Sequence, residues 1–393
     1  MSAYSTILPQ RPSSAIGLFA LCIVFFATGC DSSGMEEEQL EAPDTYSFMR
    51  NGESSVSYSG QTDRLNMVAE MKSYLGQGDA GEVISEDALL AMFTNEGGNG
   101  GGNFSFTSDR QLADKTFAPD RDANLFEGIF ADAAAASQNG ADGVVASDGT
   151  AGLIERADGG TILVDANGRE FTQLVEKGLM GAVFYNQIYN VYLTDDRIGS
   201  SVENEELEDG ENYTTMEHHW DEAFGYFAAP IDFTSPWSED EDGALRFWAN
   251  YSNTVDQQLD GTNDAVMAAY INGRTAIVNN NTNAKNAARD ALYEELELIA
   301  AGTTVHYINS TLAELDAGER GEAFHALSEA WAFANALKYS PRRTLTLDTI
   351  ETIKEEDFGA NGNFWNVTPA GLNKAKATLV EAFPELAPVQ DAI

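Results

Sequence analysis

Histidine and glutamate side chains at helical spacing are the feature of this sequence that could do chemistry. His218 and Glu222 are four residues apart, and His219 lies three residues before Glu222. Residues three or four apart share one face of a helix, so these pairs would present imidazole and carboxylate groups together. The pattern recurs at His325 and Glu329, and both segments continue with alanine and an aromatic residue.

The distribution of the histidines favours a metal site. The chain has four histidines, and none lies in its first half. Imidazole and carboxylate ligands together suit iron or zinc, and the core of a helix bundle can hold such a site. We therefore predict that three helices bring together a metal-ligand set drawn from His218 or His219, Glu222, His306, His325 and Glu329.

The same side chains allow two other interpretations. They could hydrogen-bond across helix contacts or face solvent, which would make them structural. A metal-dependent hydrolase is the third choice, because the sequence lacks a His-Glu-x-x-His motif and a Gly-x-Ser-x-Gly turn. Its two cysteines, Cys22 and Cys30, both lie near the amino terminus, so neither is expected to act as a catalytic nucleophile.

The periodicity of apolar residues predicts an all-α protein. Apolar positions recur at helical spacing through most of the chain, and strand signals are scarce. Thr214 followed by Glu217 predicts a capping box at the start of the helix that carries the paired histidines. Residues 139–168 are rich in Gly and Asp and predict an irregular excursion, with a hairpin between 152–156 and 161–165. The predicted helices are 59–75, 85–93, 120–138, 170–193, 214–229, 243–259, 263–278, 283–300, 304–315, 318–339, 347–355 and 368–383.

The amino terminus predicts export and a lipid anchor. An apolar run over residues 16–28 follows Arg11 and has the length of a secretory h-region. It ends at Ala-Thr-Gly-Cys30, so we predict a lipoprotein signal peptide over 1–29 and lipidation of Cys30; an ordinary signal peptide with an incidental cysteine is the alternative. Residues 30–45 predict an acidic tether, and 46–393 a single helical domain. The expected location is the outer membrane or the cell surface.

The net charge limits the possible partners. Formal net charge is −41, with 63 acidic and 22 basic residues, and such a surface repels nucleic acid. The acidity runs along the whole chain, which favours a halophilic environment over dedicated cation sites. A metal ion or an envelope protein remains a possible partner, along with the membrane that would hold Cys30.

Four segments resemble an uncharacterised bacterial lipoprotein family, domain of unknown function 4856. They are residues 58–64, 168–187, 218–226 and 327–329. Within the longest of these segments we take Gln173, Lys177 and Gln187 as further candidate site residues. This family implies no activity.

The sequence from His219 to Glu222 is also similar to the Gly-x-His-x-x-Glu signature of imelysin-like proteins, although Glu217 stands where that signature has glycine. This resemblance implies two duplicated helical bundles, here 46–195 and 212–393, a periplasmic or surface location and a link to iron uptake. Together these observations predict an envelope lipoprotein that binds a metal or another small ligand, or else a non-catalytic structural or interaction lipoprotein.

Overall fold

Helices make up 62% of the computed structural model, which describes residues 39–117 and 119–393. The predicted all-α class is confirmed. The predicted signal peptide, Cys30 and most of the acidic tether lie outside the described residues. Residues Leu40–Ile393 form one compact unit. In the described part of the chain, no helix is both long and apolar enough to cross a membrane.

The helices follow the predicted order closely. They are α1 (Ser59–Asp79), α2 (Glu86–Thr94), α3 (Pro119–Ala141), α4 (Phe171–Leu179), α5 (Asp195–Ile198), α6 (Thr215–Phe227), α7 (Glu239–Asp242), α8 (Phe247–Asp256), α9 (Thr262–Val278), α10 (Thr282–Ala317), α11 (Arg320–Ala336), α12 (Leu347–Thr352) and α13 (Pro369–Ala382). The strands are β1 (Met49–Arg50), β2 (Glu53–Ser54), β3 (Gly152–Glu155) and β4 (Thr161–Val164).

The hairpin predicted after α3 is present. Strands β3 and β4 pair antiparallel, with Leu153 opposite Leu163 and Ile154 opposite Ile162. Gly321, in the first turn of α11, lies against the Glu155 carbonyl: a Cβ there would stand 2.2 Å from that oxygen. The hairpin is therefore packed on α11. The small β1–β2 ribbon was not predicted.

The prediction of two helices over 283–300 and 304–315 was wrong, because α10 runs unbroken from Thr282 to Ala317. The sequence Gly302-Thr303-Thr304 suggested a break. In the fold, both threonine hydroxyls donate to carbonyls one turn earlier, those of Ile299 and Ala300, so their polar groups are satisfied within the helix. α10 packs on α9, α11, α8 and α13 and thereby forms the centre of the bundle.

The long helix predicted over 170–193 is present but not regular. α4 is followed by two π-helical segments, Met180–Tyr185 and Ile188–Tyr192. Two glycines of this long helix allow close packing: a Cβ at Gly181 would lie 3.1 Å from the Ala336 Cβ of α11. A Cβ at Gly178 would lie 3.1 Å from the Phe126 ring of α3. α4 is thus held between α3 and α11.

Candidate functional site

His219, on α6, has a partner at each ring nitrogen. Its Nδ1 lies 2.7 Å from the Arg197 carbonyl oxygen, and its Nε2 lies 3.2 Å from Nη1 of the same arginine. A carbonyl accepts and a guanidinium donates, so Nδ1 carries the proton and Nε2 accepts. Burial lowers the pKa of His219, which agrees with a neutral ring. Nε2, the ring nitrogen that would bind a metal ion, therefore already faces the Arg197 guanidinium.

His218 and Glu222 join α6 to the amino-terminal part of the domain. The His218 ring stacks on Tyr213, with centroids 4.6 Å apart, and its Nδ1 lies 3.1 Å from the Ser57 carbonyl oxygen. Its Nε2 is 3.9 Å from Glu222 Oε1. That oxygen accepts hydrogen bonds from the Gln61 amide at 2.8 Å and from a tyrosine hydroxyl at 3.1 Å. This environment is a structural contact between helices.

His325 and Glu329, on α11, belong to a second polar cluster. His325 Nδ1 lies 2.6 Å from Glu170 Oε2, and its Nε2 lies 4.0 Å from Glu329 Oε2. The other Glu329 oxygen is 3.4 Å from the Lys177 ammonium, and the Gln173 amide donates to Glu170 at 3.2 Å. Gln173, Lys177, His325 and Glu329 therefore meet, as a charge network between α4 and α11.

The electrostatics of this cluster favour a charged His325. Burial acts to lower its pKa, but the hydrogen bond to Glu170 and the carboxylates of Glu170 and Glu329 outweigh burial, so the pKa of His325 lies above its ordinary value. A group with a raised folded-state pKa contributes stability that is complete below the unfolded pKa and is lost as pH rises through the folded pKa.

We therefore expect His325→Gln to reduce the free energy of unfolding more at about pH 5 than at about pH 9. Glutamine can donate to Glu170 but cannot become positively charged. Urea unfolding of parent and variant across this pH range measures the difference. His306→Gln is the control with the opposite trend, because burial lowers the pKa of His306. A His325→Gln effect that does not change with pH would contradict the prediction.

The two remaining candidate residues, His306 and Gln187, make other contacts. His306, on α10, meets the Tyr307 ring edge-on, with centroids 4.9 Å apart. The Gln187 amide, between the two π-helical segments, donates to the Lys115 carbonyl at 2.9 Å and so links the end of this long helix to the chain before α3.

These residues do not fit a metal centre. Across residues 39–117 and 119–393, no group of three or more His, Cys, Asp or Glu side chains is arranged to hold a metal ion. His219 Nε2 faces a guanidinium, and Glu222 Oε1 accepts two hydrogen bonds from neighbouring helices. The iron or zinc ligand set stays a prediction from sequence, without a matching geometry at these residues.

The most deeply buried charges on α6 are Glu217, which was predicted only as part of a capping box, and Asp221, which was not predicted as a site residue. Arg274 of α9 is 0% exposed; its Nε donates to Asp221 at 2.9 Å and its Nη1 to Glu217 at 2.8 Å. Tyr46 donates to Asp221 at 2.7 Å, and Arg50 forms a second ion pair with Glu217 at 2.7 Å. This network fixes the amino-terminal segment to α6 and α9. The signal available in the sequence was the four-residue spacing of Glu217 and Asp221, which places both carboxylates on one face of α6.

A cleft on the other side of α11 is the best-formed candidate ligand site. It has a volume of about 510 Å³ and lies between α3, the start of α4, α11 and the π-helical segment Ile353–Asp357. We call it the Trp331 cleft; its lining includes the apolar or small residues Leu125, Gly128, Ile129 and Trp331, the cations Arg169, Lys338 and Lys354, and the carboxylates Asp132, Asp165, Glu351 and Glu355. Sequence reasoning noted Trp331 as the aromatic residue that ends the His325 segment but did not make it a site residue.

The floor of the Trp331 cleft combines an aromatic ring with two cations. Trp331 is 7% exposed, and its indole N–H has no hydrogen-bond partner in the described part of the chain. The Lys354 ammonium lies 4.6 Å and the Arg169 guanidinium carbon 5.9 Å from the ring centroid. Both distances are within the range of cation–π attraction. The cleft can therefore offer stacking, hydrogen-bond donors and positive charge to one ligand.

Comparison with known proteins identifies one family. The family model described as "Domain of unknown function (DUF4856)" matches residues 43–384. Neither the curated proteins nor the solved structures gave a match.

Proposed function

The chain belongs to the family Domain of unknown function (DUF4856), whose description carries no activity. We propose that it is a cell-envelope lipoprotein and that it binds a small organic ligand in the Trp331 cleft. The envelope location is supported by the apolar run before Cys30 and by the acidic segment after it. Cys30 would hold the protein at the membrane, and the helical domain would present the cleft.

The form of the Trp331 cleft is the observation that carries the proposal. Its volume of about 510 Å³ falls in the range typical of small-molecule sites. Leu125 and Ile129 give it apolar surface, while Arg169 and Lys354 add polar groups near one aromatic ring. The cleft is lined by more polar and charged residues than apolar ones, so its polar groups would decide which small molecule it accepts.

We expect Gly128→Phe to abolish ligand binding without unfolding the protein. A Cβ at Gly128 meets no atom within 4 Å, so the new ring can enter the open cleft. Replacing glycine inside a helix with a residue that has a side chain also favours the helix, by up to about 1 kcal/mol relative to glycine. Saturation-transfer NMR of the full chain with a library of small aromatic acids, amides and amines would detect binding.

Gly76→Phe is the matched control. Gly76 lies in α1, and a Cβ there also meets no atom within 4 Å. Fragments that bind the parent and the Gly76→Phe protein, but not Gly128→Phe, would support the proposal. If no fragment signal depends on Gly128, the Trp331 cleft is not the ligand site.

A structural or interaction lipoprotein is the second candidate. It is favoured by the local partners of the histidines: His218 and His219 are hydrogen-bonded to backbone carbonyls, and His325 is bonded to Glu170. These contacts give the imidazoles a role in holding helices together.

A further inference from the structure

Trp331 and Arg169 each leave hydrogen-bond donors at the Trp331 cleft. The buried indole N–H of Trp331 has no acceptor in the residues the structure describes. Arg169 directs Nε and Nη2 to Asp165, each at 2.7 Å, which leaves the Nη1 hydrogens for another acceptor. A buried donor without a partner is unfavourable, because it has lost its hydrogen bonds to water. A ligand rich in acceptors would remove this penalty.

Lys354 adds a cation that is screened weakly by solvent. The residue is 4% exposed, and its ammonium lies against the Trp331 ring. Its carboxylate partner is Glu351, at 3.0 and 3.1 Å, and that side chain is 52% exposed. A solvated partner can leave the ammonium, whereas an anionic ligand in the cleft would meet it in a less polar medium. Electrostatic attraction is stronger there.

Three basic side chains line one cleft of a protein in which basic residues are scarce. The chain has 22 Lys and Arg residues against 63 Asp and Glu, yet Arg169, Lys338 and Lys354 all line this cleft. Four carboxylates line it as well. Asp132 and Glu351 are exposed, Glu355 is half-buried, and Asp165 already accepts from Arg169. The lining thus holds more carboxylates than cations, and an acid is favoured only beside the buried Lys354 ammonium.

We infer that the ligand of the Trp331 cleft is an aromatic or similarly flat organic acid. Its apolar body lies against Trp331, Leu125 and Ile129, and its carboxylate is bound by Lys354 and Arg169. This inference rests on the proposed function and adds the chemical class of the ligand.

Three naphthalene probes test the ligand class by equilibrium dialysis against the full chain at one fixed ionic strength. They are 2-naphthoate, 2-naphthamide and 2-naphthylmethylamine, which share a ring system and differ in charge. We expect 2-naphthoate to bind at least about tenfold more tightly than the amide, and the amine to bind least. Equal or tighter binding of the amide or the amine would overturn the inference.

Variants locate the source of the preference. Lys354→Met and Arg169→Gln should each reduce the affinity for 2-naphthoate toward that of 2-naphthamide, with little change for the amide. Arg320→Gln is the control, because Arg320 lies 5.5 Å from the Trp365 ring, another cation–aromatic pair, and is not a residue of the cleft. A naphthoate preference that survives Lys354→Met and Arg169→Gln would also overturn the inference.

The same experiment separates the two proposals. If Gly128→Phe abolishes probe binding but the acid is not preferred, the proposed function is supported and the inferred ligand class is wrong. Absence of any binding that depends on Gly128 contradicts both.

Discussion

Replacing Arg274 with methionine should lower the free energy of unfolding by about 3–5 kcal/mol, because it leaves buried carboxylates without their cation. Arg274 is 0% exposed and holds Asp221 and Glu217 from α9. Glu217 keeps Arg50, but Asp221 keeps only neutral donors, the Tyr46 hydroxyl and the Ser57 amide. Asp221 therefore accounts for most of the expected loss.

The stability lost in Arg274→Met should also depend on pH. Burial raises the pKa of Asp221 to about 6, although Arg274 acts to lower it. A raised folded-state pKa means that this group contributes stability below its unfolded pKa, which is lost as pH rises through about 6. Removing Arg274 raises the pKa further. The difference between Arg274→Met and the parent should thus be larger at about pH 8 than at about pH 5.

Urea unfolding at constant, high NaCl concentration measures both effects. Arg289→Gln is the control, because Arg289 pairs at 2.7 Å with Asp195, whose side chain is 83% exposed. Pairs of that kind contribute about 0–1 kcal/mol. A loss for Arg274→Met no larger than that for Arg289→Gln would show that the buried network does not stabilise the fold.

The second large effect concerns salt. With a formal net charge of −41, we expect the free energy of unfolding to rise by about 3 kcal/mol or more between about 0.1 and 2 M NaCl. The Debye length falls from about 10 Å at 0.1 M to about 3 Å at 1 M, so repulsion between carboxylates on the folded surface is screened. This increase is what a protein suited to a saline environment would show.

Urea unfolding in a NaCl series checks the prediction. Sucrose is the control, because it is excluded from the protein surface and stabilises compact states but does not screen charge. The free energy of unfolding should rise more steeply with NaCl than with sucrose at equal osmolality. Stability that is flat or falls with NaCl would refute the halophilic interpretation of the composition.

The local structure of the chain could be predicted from its sequence. The capping box at Thr214 and Glu217 is present with both of its hydrogen bonds, and the predicted β3–β4 hairpin is present. These features depend on residues close together in the chain. For the same reason the prediction failed at α10, where the packing of Gly302 against Val255 and the internal bonds of two threonines keep the helix unbroken.

The candidate site could not be predicted in the same way. The sequence shows that His218, His219 and Glu222 share parts of a helix surface, but it does not show which neighbours they meet. In the fold, His219 is hydrogen-bonded to the Arg197 carbonyl. Arg274, which is distant in the sequence, forms ion pairs with Glu217 and Asp221. Side chains that could have bound a ligand therefore form structural hydrogen bonds, because tertiary packing places partners next to them.

The sequence by itself determined the helices, the hairpin, the acidic surface and the polar residues available on each helix, because periodicity, turn chemistry and composition are local properties. Tertiary structure alone decided which charges are buried and where the Trp331 cleft opens. Arg169, Trp331 and Lys354 come from three separate segments, and they meet only because α4 and the π-helical segment Ile353–Asp357 both pack on α11. Burial then sets the strength of their interactions, since it removes the water that would otherwise screen them.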